Sequence, residues 1–150
     1  MDQSQESVNR LNKLVVVNND RINGYKKAAG ETKDPDLKTL FDQYSQQSAR
    51  FKMELAEEIT ALGGQVREET SASGDLYRTW MDIRSALSVD DREAALKSCE
   101  FGEDVALKTY DKVLEDSAVF SPGSQVRMQN QRAELKDAHD SIKSLRDAVS

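Results

Sequence analysis

A single cysteine, Cys99, excludes an internal disulfide, and a single histidine, His139, leaves one imidazole for any metal or nucleophile site. Two prolines and seven glycines are too few for an all-β chain with many turns. The longest unbroken apolar run, Leu14 to Val17, is far short of a membrane span. There is no glycine-rich phosphate loop and no Cys-x-x-Cys. Basic residues form no evident patch, and the net charge is −6, so neither nucleic acid nor an anionic membrane surface is an expected partner. The opening stretch MDQSQESVNRLNKL lacks the basic, apolar and small-residue blocks of a secretory leader. These absences together lead us to expect a soluble cytoplasmic protein.

What is present points to helices. A length of 150 residues suits one domain, 1–150. Apolar residues make up 37% and charged residues 32%, the balance of long amphipathic helices with one solvated face each. Val8, Leu11, Leu14, Val15, Ile22 and Tyr25 recur at helical spacing, which predicts a first helix from about Gln5 to Gly30, with Gly30 as a left-handed cap. Asp34 is a suitable N-cap and Pro35 a suitable first residue for a second helix, reaching about Leu62 and ended by Gly63-Gly64. The polar stretch Gln65–Asp75 reads as a flexible connection. A short amphipathic segment, LYRTWMDIRSAL, follows, and Ser88 or Asp90 can cap the next start. A third long helix is expected from about Asp91 to Glu115, and a fourth from Pro122, after Ser121, to the C-terminus. The fold class is therefore all-α, an antiparallel four-helix bundle with an extra short helix before the third long one.

Each apolar stripe is interrupted once by a polar residue. The stripes read Leu11, Leu14, Asn18, Ile22, Tyr25; then Phe41, Tyr44, Ser48, Phe51, Leu55; then Leu96, Cys99, Glu103, Ala106, Tyr110; then Leu135, His139, Ile142. In a bundle, Asn18, Ser48, Glu103 and His139 could meet at one level. A buried polar group needs a partner, so the expectation is a Glu103–His139 hydrogen bond.

The first helix, RLNKLVVVNNDRINGY, resembles that of bacterioferritin-type proteins, through its Leu-Asn-Lys-Leu start and Ile-Asn-x-Tyr end. More closely, NNDRINGYKKAA, DPDLKTLF, LGG, WMDIRSAL, SCEFGEDVALKTY and AHDSIKSLRD, in that order, resemble an uncharacterised family of bacterial ferritin-like four-helix-bundle proteins, a domain of unknown function. The ferritin-like resemblance implies a di-iron site of one glutamate on each of two helices and Glu-x-x-His on each of the other two. The corresponding positions are Asn18, Ser48 with Phe51, Glu103, and Lys136 with His139. Only Glu103 and His139 match the pattern. Two metal ions need several anionic oxygens, so the site reads as degenerate and no cofactor is expected.

Several expectations follow. Glu103 and His139 are vestigial ligands in a core polar cluster with Asn18, Ser48 and Lys136. Tyr25 and Tyr110 are core tyrosines near it with satisfied hydroxyls. Trp80 is a core residue or an interface anchor, and Cys99 a small buried hydrophobe. The function expected is a non-enzymatic structural or interaction protein, with a stress-response link by analogy of fold alone. The alternative is an iron- or zinc-binding redox protein with a site rebuilt from Glu103, His139 and Asp104 or Asp20. Partners expected are a second copy in a homodimer or a protein docking near Trp80.

Overall fold

The computed structural model describes residues 3–149. Five α-helices occur in it: α1 (Gln3–Glu31), α2 (Pro35–Ala61), α3 (Asp75–Ser88), α4 (Arg92–Leu114) and α5 (Pro122–Val149). A short 3-10 turn, Ser117–Val119, precedes α5, and no strand occurs among the described residues. The expected course of the last helix beyond Val149 lies outside them.

The helix ends follow local chemistry, with three corrections. Gly30 is inside α1 rather than a cap, and the glycines with positive φ are Gly63, at 80°, just beyond α2, and Gly74, at 92°, just before α3. Asp34 precedes α2 but makes no side-chain cap; its carboxylate instead accepts from Arg92 Nη1 at 3.0 Å. The cap of α4 is Asp91, accepting from Ala94 N at 3.0 Å, in place of the expected Ser88 or Asp90. Ser121 Oγ does accept from Ser124 N, at 3.2 Å.

Side-chain pairings give the topology. Arg10 meets Asp116, Asn18 meets Tyr110 and Arg21 meets Glu103, so α1 and α4 run in opposite directions. Glu58 meets Arg127 and Arg50 meets Glu134, so α2 and α5 also oppose. Within each hairpin, α1–α2 and α4–α5, the link is short. Between the hairpins the chain must return along the whole bundle, and residues 62–74 with α3 make that crossover. Helix α3 packs on α4 and α1. One long crossover between two helical hairpins is the ferritin-like arrangement.

The crossover is not a free loop. Asn12 Nδ2 donates to Gln65 O at 2.9 Å and its Oδ1 accepts from Arg67 N at 3.0 Å. Asn19 Nδ2 donates to Arg67 O and Glu69 O, at 3.1 and 2.9 Å. Asp20 accepts from Ser71 N at 2.8 Å and from Ser71 Oγ at 2.7 Å. Three side chains of α1 therefore satisfy backbone groups that a polar, irregular segment would otherwise offer to water.

The apolar interior forms two bodies. One contains Leu11, Leu14, Phe51, Leu55 and Leu135; the other contains Tyr25, Phe41, Ile83, Leu96 and Ile142. Between them lies a layer of buried polar residues.

Candidate functional site

The layer is built around an ion pair. Arg21 and Glu103, each 1% exposed, come from α1 and α4. Arg21 Nε donates to Glu103 Oε1 at 3.1 Å, and Nη2 lies 3.1 Å from the same oxygen. Nη2 is off the line of a hydrogen bond, as is shown by its lack of any bonded partner. The Tyr25 hydroxyl donates to that oxygen as well. Arg21 Nη1 donates to Ser48 Oγ on α2 at 2.5 Å. Glu103 Oε2 has no protein partner.

A second set continues toward α5. Asn18 Nδ2 donates to the Tyr110 hydroxyl at 2.9 Å and to Leu14 O at 2.9 Å. Tyr110 donates to Gln131 Oε1 at 2.7 Å. Gln131 Nε2 reaches Glu54 Oε1 at 2.9 Å and Phe51 O at 3.3 Å. All four long helices thus contribute a polar side chain.

The electrostatics follow from burial. Taking the Arg21 guanidinium out of water is the largest single effect and disfavours its charge, but the attraction and hydrogen bond of Glu103, with the Tyr25 and Tyr110 phenols, together outweigh it, and Arg21 is held above its ordinary range. Burial pushes Tyr25 well up, and the negative Glu103 adds to the effect. Burial also raises Tyr110 and Cys99. Cys99 is a thiol kept protonated in the core, which agrees with its reading as a small hydrophobe.

Three of the residues singled out in the sequence lie in this layer. Asn18, Ser48 and Glu103 are buried in one layer, at 0%, 0% and 1% exposure. Tyr25 and Tyr110 are buried with hydroxyls bonded. Two members are corrected. Lys136 is exposed and pairs with Asp140 at 2.6 Å. His139 makes no bond to Glu103: its Nε2 lies 2.9 Å from Asp104 and its Nδ1 3.0 Å from Asp140, on the outer side of the α4–α5 seam. The polar residue that α5 sends inward is Gln131, one step in the series Met128, Gln131, Leu135, Ala138, Ile142. On α1 the residue missed is Arg21, for Ile22 is only partly buried. Spacings of three and four from Asn18 to Arg21 and on to Tyr25 were the available signal.

A di-metal centre does not fit these residues. Arg21 already bridges two of the implied ligand positions, Ser48 and Glu103, with a permanent cation. A metal ion there would face a buried guanidinium across a single carboxylate. Nor do Glu103, His139, Asp104 and Asp20 converge: Glu103 points to Arg21, His139 meets Asp104 outside, and Asp20 holds Ser71. Among the described residues, no group of three or more His, Cys, Asp and Glu side chains could hold a metal ion.

Trp80 is half-buried. Its indole covers Gly24 and meets the Tyr25 ring edge-on, centroids 4.8 Å apart. No helix among the described residues is long and apolar enough to cross a membrane.

An all-α bundle with one long crossover and a polar mid-layer is a ferritin-like fold. The structure of a variant of Dps1 from Mycobacterium smegmatis is similar to it, with a TM-score of 0.74 over 96% of this chain and 97% of that one, at 14% sequence identity. That likeness shows the fold. The chain belongs to the family described as a domain of unknown function, DUF2383, whose model matches residues 6–116. The match spans α1 to α4 and includes both Arg21 and Glu103; α5 lies beyond it. No curated protein matches the chain.

Proposed function

We propose that this protein is a non-catalytic ferritin-like bundle that works in the cytoplasm by engaging other proteins, and that it neither stores nor oxidises metal. The observation that supports the reading is the Arg21–Glu103 pair. The mid-layer of the bundle carries a fixed cation bonded to Ser48 on one side and Glu103 on the other. Removing one partner of such a pair costs far more than keeping it, so the arrangement is a structural joint and a poor starting point for ligand exchange. Association with a stress response rests on analogy of fold alone.

The test is elemental analysis of protein purified without a histidine tag, after loading with iron and with zinc. The expected result is less than one tightly bound metal per chain. Two tightly bound iron atoms per chain with oxo-bridge absorption would overturn the proposal.

A further inference from the structure

Helix α3 covers only part of the seam between α1 and α4. Beyond its first residue, Asp75, the seam continues as an open groove of about 680 Å³, from Arg10 and Lys13 on α1 to Val105, Lys108 and Lys112 on α4. A second groove of about 440 Å³, between α3 and the outer face of α4, joins it at Asp75 and Phe101. The junction sets an exposed aromatic ring beside the Asp75 carboxylate, which Arg78 already holds at 2.6 Å. Phe101 is 51% exposed and Met81, on the wall of the second groove, 47%. On α4, Phe101, Val105, Lys108 and Lys112 follow one another at spacings of four, three and four, a single helical stripe.

The charge of this surface runs against that of the chain. Six basic and four acidic side chains line the two grooves, whereas the whole chain carries −6. Among the described residues, Lys13, Lys108 and Lys112 have no carboxylate within ion-pair distance. Trp80 is not the anchor, because its ring is already packed on Gly24 and Tyr25.

We propose that this groove, floored by Val105 and Phe101 and flanked by Lys13, Lys108 and Lys112, receives an acidic amphipathic helix of another protein. The helix continues the line of α3 along the α1–α4 seam. Its apolar stripe lies on Phe101 and Val105, and its glutamates or aspartates face the unpaired lysines. This rests on the interaction reading above but not on the state of the polar mid-layer. Metal found in the bundle centre would defeat that reading and leave the peptide test intact.

The probe is a fluorescein-labelled synthetic helix of about 18 residues, roughly 27 Å long, with leucines on one stripe flanked by glutamates. Controls are the same peptide with lysine for glutamate and a scrambled order that destroys the stripe. Fluorescence anisotropy on the full chain should show saturable binding of the acidic peptide, weakened by salt, and at least about tenfold weaker binding of both controls. Phe101→Ala should weaken the acidic peptide by about tenfold. Lys108→Glu with Lys112→Glu should reverse the preference to the lysine peptide. Equal binding of acidic and scrambled peptides, no binding at all, or tighter binding of the lysine peptide overturns the proposal. So does a dimer, seen by light scattering, that Phe101→Ala dissolves, since a second copy would then own the face.

Discussion

Arg21 on α1 and Glu103 on α4 share one oxygen atom, Glu103 Oε1, which takes the guanidinium and the Tyr25 hydroxyl together while Oε2 takes nothing from the protein. The pair is therefore poorly compensated on one side and dependent on its partner. Arg21→Met should leave Glu103 uncompensated and cost about 3–5 kcal/mol in urea unfolding. Arg21→Met with Glu103→Leu should recover much of that loss. A cycle between Glu103 and His139, which do not touch, should be additive to within about 0.5 kcal/mol. A large Glu103–His139 coupling with a negligible Arg21–Glu103 coupling would contradict the arrangement.

The periodic stripes made the helices legible, and the interruptions at Asn18, Ser48 and Glu103 made the level of the polar layer legible. The identity of the pair was not, for a physical reason. Arginine in a helix is most often solvated, so the pattern from Asn18 to Tyr25 favours Ile22 as the inward residue, whereas the guanidinium of Arg21 points inward. On α5 the stripe is set by Met128, Gln131, Leu135, Ala138 and Ile142, and His139 stands one residue off that line, which is 100° of rotation. Composition alone makes the crossover look flexible, because it cannot show that Asn12, Asn19 and Asp20 reach out from α1 to bond its backbone.

Burial raises the carboxyl of Asp20 above its ordinary value of 3.8, against the opposing effect of its two bonds from Ser71. A folded-state value above the unfolded one means that the native state binds the proton more tightly. Stability contributed by this group is therefore present at low pH and lost as pH rises from the ordinary value through the raised one. Asp20→Asn imitates the protonated form, and its amide can still accept from Ser71 N. The variant should gain stability relative to the natural protein as pH rises from about 3 to about 7, measured by urea unfolding at each pH. A difference that does not change with pH would show that Asp20 is not perturbed.

Three of the four tyrosines, Tyr25, Tyr44 and Tyr110, are held above their ordinary value of 10.0, in each case chiefly by burial. Here the raised folded-state value again means stability that is intact below the unfolded value and lost as pH climbs past it, because only the unfolded chain can ionise these phenols. Alkaline titration should therefore show most of the tyrosinate absorbance appearing together with the loss of helical circular dichroism. Full ionisation of all four phenols in a chain that keeps its helicity would contradict their placement.

Gly24 and Gly30 lie on the same helix and differ in what stands over them. A Cβ at Gly24 would come 2.3 Å from Trp80 Cδ2, with two further indole carbons within 2.6 Å, whereas a Cβ at Gly30 would meet nothing within 4 Å. The indole is rigid and already held by Tyr25, so it cannot yield cheaply. Gly24→Ala should destabilise the fold by about 1–3 kcal/mol through overpacking. Gly30→Ala should instead stabilise it by about 0.4–1 kcal/mol, because alanine restricts the unfolded chain and meets no obstacle in the folded one. Trp80 is the only tryptophan, so its emission reports the displacement directly: Gly24→Ala should shift the native spectrum and Gly30→Ala should not. Trp80→Phe in the Gly24→Ala background, with a smaller ring over the new methyl, should return part of the lost stability. If both alanine variants were stabilised alike and left the emission unchanged, the indole could not be seated on Gly24.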